Sequence, residues 1–297
     1  MNERPNIAII VNPVAGSGRR GRLIERLRGR LEEGGHPCEL VYPTGPDDLP
    51  KCVERHAVDG TIIALAGGDG TIRDALPGLM GRPNPLLLVP LGTENLLARH
   101  LGLRRDADAL WDVLRHGRVA AMDLALLNGR PFATVLGVGF DAEVVERLAR
   151  GRNGHITYLD YIGPFFETFF KYRFPAVRVV ADGEEVCNEP ALVFVGNISR
   201  YAIGLRILRR ARWDDGLLDV CVIRCKHHAR LLGHAWRALL NRHVEHPLVS
   251  YHQVRRVELE SEQRLALQSD GDPAGELPAR VEIAPGAINM YVPPPVG

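Results

Sequence analysis

The chain has 297 residues, room for one large or two medium domains, and its 45% hydrophobic and 25% charged residues are the balance of an ordinary soluble protein. Lys plus Arg (37) nearly cancels Asp plus Glu (36), which excludes a global basic field for nucleic acid. The five cysteines, Cys38, Cys52, Cys187, Cys221 and Cys225, form no C-x-x-C pair and fit a reducing compartment rather than a disulfide framework or a metal pair.

The start, "MNERPNIAII", is charged and leads straight into a strand, so it does not read as a signal peptide. No apolar run approaches the roughly 20 residues of a membrane helix, and the expected location is cytoplasmic. The first strand, Ile7–Val11, is followed by "NPVAGSGRRGR", in which Gly16, Gly18 and Gly21 spell G-x-G-x-x-G. A strand, a glycine turn and a helix N-terminus suit any phosphate, because free N–H groups and the helix dipole point at it. A dinucleotide fold also needs an acid at the end of the second strand. Here that strand, His36–Thr44, ends on Tyr42 and Thr44, with Glu39 inside it; nor does Lys-Ser or Lys-Thr follow Gly21. The stretch reads as a phosphate loop that does not hold NAD, with Arg19 and Arg20 either solvated or on the phosphate.

Up to about residue 120, apolar strands (Ile7–Val11, Cys38–Tyr42, Thr61–Ala66, Leu86–Pro90) alternate with helices (Arg19–Gly34, Leu49–Val58, Thr71–Met80). That alternation predicts a parallel sheet covered on both faces, with ligands beyond the carboxyl ends of the strands. Asn12, Thr44, Gly67 and Thr93 all fall just after strand ends. In "AGGDGTIRDAL", Gly67, Gly68 and Gly70 let backbone approach a bulky anion, while Asp69 would repel it unless a cation such as Mg²⁺ intervenes. Otherwise this is an Asp-Gly turn, with Asp69 capping the helix that Thr71 opens. In "VPLGTENLLARHLGL", Thr93 is a candidate cap whose hydroxyl is still available to a ligand.

After about residue 122 the period changes. "RPFATVLGVGF", "AVRVVADGEEV", "PALVFVGNI", "LLDVCVIRC", "HQVRRVELESE", "QRLALQSDG" and "RVEIAPGAINMYV" read as strands broken by Gly, Asp and Pro turns. Helical insertions fall near Ala142–Arg150 with Tyr158–Tyr172, and near His227–Leu240. This is an all-β domain with added helices, a sandwich. Phe165, Phe166, Phe169 and Phe170 recur at helical spacing, as core packing or as a lipid-facing lip with Lys171 and Arg173 beside headgroups. The eleven histidines, His227-His228 and His243/His246 among them, give no zinc set.

N-P-x-x-G-x-G, G-G-D-G-T and P-L-G-T-x-N, in that order, resemble the diacylglycerol kinase catalytic-domain family, whose remoter kin are NAD kinases and phosphofructokinases. The likeness continues through "GVGFDAEVV", "VGNISRYAIGLRI", "DDGLLDV" and "SDGDPAG" and covers essentially the whole chain. It implies an α/β nucleotide-binding domain over residues 1–122, completed by residues 286–297, and a β-sandwich lipid-substrate domain over 123–285. It also implies an ATP-dependent kinase of a lipid hydroxyl, with diacylglycerol or a related glycerolipid as acceptor. Asn12, Thr44, Gly67, Gly68, Asp69, Gly70, Thr71 and Thr93 would line the ATP site. Asp270, in "LQSDGDPAG", would be the catalytic base, a role that fits the need of a poorly nucleophilic alcohol for a carboxylate; read alone, the same stretch is a Ser-Asp-Gly hairpin turn. Asp215 with the carbonyls of Arg212 and Leu217 would hold Mg²⁺, where residue types alone allow a solvated turn. Asp272 stands where the family usually has Glu, and Leu96 where its bacterial members usually have Asp. Alternatives are a sphingoid-base kinase, an NAD kinase, or a nucleotide-binding regulator on a kinase scaffold. Expected partners are ATP, a lipid and, transiently, a membrane surface at which the chain sits peripherally. Nucleic acid is not expected, and a homodimer stays open.

Overall fold

Runs such as Ile7-Ala-Ile-Ile-Val11 carry no polar side chain, so a strand made of them must be covered on both faces. A computed structural model of the protein, describing residues 4–13, 19–151 and 158–294, places them so. The chain divides into two units, Met1–Leu124 with Pro285–Gly297, and Ala125–Ala284. The first unit runs β1 (Ile7–Val11), α1 (Arg19–Glu33), β2 (Cys38–Val41), α2 (Leu49–His56), β3 (Ile62–Gly67), α3 (Asp69–Leu79), β4 (Pro85–Pro90), α4 (Leu96–His100) and α5 (Ala107–His116), and then enters β5 (Arg118–Leu127). Every residue of β1 and β3 is buried.

The strands pair in parallel in the order β2-β1-β3-β4. The chain steps from β1 outward to β2, then crosses back past β1 to β3 and on to β4, so the strand order reverses between β1 and β3 and their carboxyl ends form the switch point where such sheets bind ligands. Helix α1 covers the sheet through Ile24, Leu27 and Leu31, all at most 3% exposed. The chain's last strand also lies in this unit: Asn289 and Met290 pair in parallel with Pro85 and Leu86 of β4, and Gly81 donates its N–H to the Ala287 carbonyl. The boundaries differ from the sequence reading at two places that matter. Strand β2 stops at Val41, leaving Thr44 in a loop beyond Pro43. Helix α3 starts at Asp69, with Gly68 as its extended N-cap, so Asp69-Gly-Thr is a helical turn rather than a loop before one.

The second unit continues with β6 (Arg130–Phe132), β7 (Val135–Val138), α6 (Phe140–Arg150), α7 (Ile162–Lys171), β8 (Ala176–Ala181), β9 (Glu184–Gly196), β10 (Leu218–Arg224), α8 (His228–Leu239), β11 (Val249–Val254), β12 (Arg256–Glu260), β13 (Ala266–Ser269), β14 (Asp272–Glu276) and the start of β15 (Ala279–Val292). Pairing is antiparallel throughout. One sheet is β14-β13-β7-β9-β10-β11, and the other joins β9, β8, β12 and β15. The long β9 serves both, pairing with β8 up to Pro190 and with β7 and β10 from Ala191, the way a strand turns the corner of a sandwich. Three two-residue hairpins use Asn128-Gly129, Asp182-Gly183 and Asp270-Gly271, each with positive φ at both residues, the chemistry of a type I′ turn. All five cysteines are free thiols, and burial pushes Cys221 up to about 12 and Cys225 up to about 11. Among the described residues no helix is long and apolar enough to cross a membrane.

Candidate functional site

In the first unit, the loops after β1, β3 and β4 meet at the switch point. The Asn12 N–H donates to the Ala66 carbonyl at 3.0 Å, and its side-chain amide donates to the Thr71 hydroxyl at 2.8 Å, tying the end of β1 to the first turn of α3. Glycine is required around this knot. A Cβ on Gly67 would lie 2.4 Å from Thr71, and one on Gly92 would lie 2.7 Å from the Gly68 Cα, so the two loops touch backbone to backbone. Asn95 shapes the second loop from within. It holds a left-handed φ of 48°, accepts from the Gly92 N–H and donates to the Gly92 carbonyl, both at 2.8 Å. These contacts leave a helix N-terminus, that of α3, opening at the carboxyl end of β3, as anion binding requires.

Asp69 answers the charge puzzle differently from either expectation. Its carboxylate accepts from the N–H groups of Leu96 at 3.0 Å and Leu97 at 3.3 Å, so it caps α4, 27 residues on, rather than its own helix. Thr93, expected as a cap for α4, does not cap it: the N-cap position falls to Asn95, and Thr93 is solvent-exposed beside it. Thr44 is exposed in the loop after β2, its N–H and hydroxyl both donated to Asp48. Gly16 and Gly18 of the first glycine loop lie outside the described residues; Gly21 is in α1.

In the second unit, Asp270 is indeed the first residue of a hairpin turn, at φ 52°, yet it is only 7% exposed. Its carboxylate accepts from the N–H groups of Ala133 (3.0 Å) and Thr134 (2.8 Å) and from the Thr134 hydroxyl (2.6 Å). Asp182, in the sister turn, makes a similar pair of backbone contacts, to Arg255 and Arg256, but out in solvent. Burial and the hydroxyl distinguish Asp270. A side-chain network continues from its turn: Gly271 donates to Gln268, whose amide donates to Asp141 at 3.2 Å, and the Tyr201 hydroxyl donates to the same carboxylate oxygen at 2.8 Å. Burial raises the Asp141 carboxyl against the pull of those donors, and burial beside Asp141 raises the Tyr201 phenol well above its usual range. A Cβ on Gly137 would overlap the Asp141 carboxylate, which accounts for the first glycine in G-V-G-F-D. Thr134, Asp141, Tyr201 and Gln268 escaped the sequence reading. Only Asp141 carried a local signal, an acid directly after G-x-G-F.

Asp215 lies at a half-buried turn, its carboxylate accepting from the Leu217 N–H at 3.1 Å, while Arg212 pairs with Asp214 at 3.5 Å. Four residues on, Asp219 is fully buried with no well-formed hydrogen bond to either carboxylate oxygen. Burial raises it to about 6, the charge of Asp215 adds to the rise, and hydrogen bonding to Tyr251 and Gln253 draws it back. A desolvated carboxylate that feels the charge of a second one fits a nearby cation. Among the described residues no three His, Cys, Asp or Glu side chains cluster to hold one; a set of one carboxylate and two main-chain carbonyls needs no such cluster.

The phenylalanine helix divides its face. Phe165 and Phe169 stack at 6.2 Å and turn toward Phe140 and His228, whereas Phe166 and Phe170 are 53% and 76% exposed. Core packing describes the first pair only. Lys171 is paired with Glu167 of its own helix at 2.8 Å.

Against known proteins, the profile of the diacylglycerol kinase catalytic domain matches residues 6–127, and that of the YegS C-terminal NAD kinase beta sandwich-like domain matches 134–292. A diacylglycerol kinase of Mycobacterium tuberculosis (strain ATCC 25618 / H37Rv) is 30% identical over 302 residues, spanning 98% of this chain and 96% of that one. The chain belongs to the diacylglycerol kinase catalytic-domain family. A diacylglycerol kinase of Staphylococcus aureus (strain MRSA252) is 26% identical, over 98% of this chain and 93% of its own. A crystal structure described as a diacylglycerol kinase from Bacillus anthracis str. Sterne matches with a TM-score of 0.77 at 23% identity, over 99% of both chains, a likeness of fold. The family is one of lipid kinases, and it implies ATP as the phosphate donor.

Proposed function

We propose that the chain transfers the γ-phosphoryl group of ATP to the hydroxyl of a diacylglycerol or a closely related glycerolipid. The observation that carries the reading is the Asp270 carboxylate, buried and fixed by three donors in a chain that also has interlocked glycine loops at a sheet's switch point. Asn12, Thr44, Gly67 to Thr71 and Thr93 serve as the nucleotide-binding residues, the first turn of α3 giving its N–H groups to phosphate oxygens. Asp270 accepts the proton of the lipid hydroxyl as that oxygen bonds to the γ-phosphorus and the bond to ADP breaks. The two backbone N–H groups and the Thr134 hydroxyl hold the carboxylate in one orientation for that transfer. Asp215, with the Arg212 and Leu217 carbonyls, would hold Mg²⁺, which supplies charge neutralisation; the desolvated Asp219 nearby supports a cation there.

The test is transfer of label from [γ-³²P]ATP to a panel of diacylglycerol, phosphatidylglycerol, sphingoid base and NAD. Labelling of a glycerolipid is expected. Asp270→Asn should lower turnover at least about a hundredfold, the scale of general-base loss, with ATP affinity within a few-fold. Labelling of NAD alone, or of nothing, would overturn the reading, and equal loss of ATP binding in Asp270→Asn would make that residue structural.

A further inference from the structure

A surface helix of a globular protein ordinarily turns its largest apolar side chains inward. Helix α8 does the reverse. It buries Leu231, His234 and Ala238 and leaves Leu232, Trp236 and Leu239 53–64% exposed, with Leu240 just beyond at 52%. Their spacing of i, i+4, i+7 and i+8 makes one continuous stripe. Among the described residues eleven large hydrophobic side chains are exposed, and eight of them lie either on this stripe or on Leu159 and α7. The two segments adjoin, since Phe169 and Phe174 pack on His228, the first residue of α8, at 4.8 and 5.0 Å.

The charge around the stripe selects its partner. From Lys226 to Val244 the chain has no acid; Lys226 is paired with Glu189 at 2.7 Å, and Arg230, Arg237 and Arg242 supply three further positive charges. In a chain whose basic and acidic residues otherwise cancel, an acid-free basic segment carrying an outward Trp and three Leu has the composition of a helix that lies in a membrane interface. We infer that α8 is the surface by which this protein docks on an anionic lipid bilayer, its Leu232–Leu240 stripe sunk among the headgroups and its arginines on the phosphates. This rests on the lipid-kinase reading only for its purpose, bringing the enzyme to an acceptor that resides in a bilayer.

The test uses the full chain and sedimentation with phosphatidylcholine vesicles made with or without phosphatidylglycerol. Binding is expected to the anionic vesicles, to weaken with salt, and to fall at least about tenfold in Trp236→Ser/Leu239→Ser and in Arg237→Glu/Arg242→Glu. Since these side chains project from the fold, unchanged melting temperatures should accompany the loss. Vesicle binding equal to wild type in both variants would overturn the inference. So would a wild-type dimer in solution that Trp236→Ser/Leu239→Ser dissociates, because a second copy would then cover the stripe. Phosphorylation of a water-dispersed short-chain diacylglycerol separates the two readings: both variants should match wild type there while losing activity on vesicle lipid. If wild type labels neither form, the kinase reading fails and the vesicle result still decides the surface.

Discussion

Replacing Asp69 by Ala removes the acceptor for two N–H groups in the first turn of α4, Leu96 at 3.0 Å and Leu97 at 3.3 Å. Loss of a cap costs about 1 kcal/mol, and loss of a negative charge at a half-buried helix N-terminus adds up to about 1 kcal/mol. The expected destabilisation is therefore about 1–2 kcal/mol, or a Tm lower by about 2–8 °C for a unit of this size. Asp69→Asn keeps one acceptor oxygen and loses the charge, so about half that effect is expected. Differential scanning fluorimetry without nucleotide reads the stability, and calorimetric ATP titration with and without Mg²⁺ reads the site. A capping role predicts that Asp69→Asn keeps ATP affinity within a few-fold, because α4 and the Gly92 turn stay in place. If Asp69→Ala melts like wild type while Asp69→Asn abolishes the Mg²⁺ dependence of ATP binding, the carboxylate is a cation ligand and the capping argument is wrong.

The same residue marks the boundary of what the sequence makes legible. Both layers of the fold could be read because each rests on a local pattern: uninterrupted apolar runs for the buried parallel strands, and Asn-Gly or Asp-Gly pairs for the sandwich hairpins. Motif glycines were legible for the same reason, though why Gly92 must be glycine appears only when Gly68 is seen against it. What stayed hidden depends on contacts between distant segments. Asp69 announces a cap without saying which helix it serves, and Asp270 is tied to Thr134 across 136 residues. Helical spacing likewise finds a face without saying which way it points. On α7 the four neighbouring phenylalanines split inward and outward, and on α8 the bulkiest residues face solvent. Such inversions of the usual burial order arise where a surface serves a partner, as the lipid-docking role proposed for α8 requires.

Gly92→Ala puts a methyl 2.7 Å from the Gly68 Cα and 2.8 Å from Asn95, and should weaken ATP binding at least about tenfold while costing about 1–3 kcal/mol of stability; wild-type affinity by calorimetry would refute the packed-loop account. His234 and His243 are buried, and burial holds both below the usual histidine range. Between about pH 6.5 and their folded pKa values the unfolded chain takes up protons that the native one refuses, so stability falls as pH falls, by up to about 1.4 kcal/mol per pH unit for each; a Tm flat from pH 7 to pH 5.5, or a slope unchanged in His243→Gln, would contradict this. The end of β15 gives the largest expected effect. Ile288, Met290 and Val292 are at most 4% exposed, and removing residues 286–297 forfeits burial worth about 1.5–3 kcal/mol each together with the strand paired to β4. That sum, about 5–9 kcal/mol, rivals the whole stability of a domain, so the truncated protein should lose both cooperative melting of the first unit and ATP binding. Met290→Ala tests the same packing in graded form, since filling the space of a fully buried methionine with a methyl group costs about 2–5 kcal/mol. Its Tm should fall by several degrees and recover in part with saturating ATP, which stabilises whatever unit binds it. A Met290→Ala variant with wild-type melting, or a truncation that still binds ATP, would show that the parallel sheet is complete without its fifth strand.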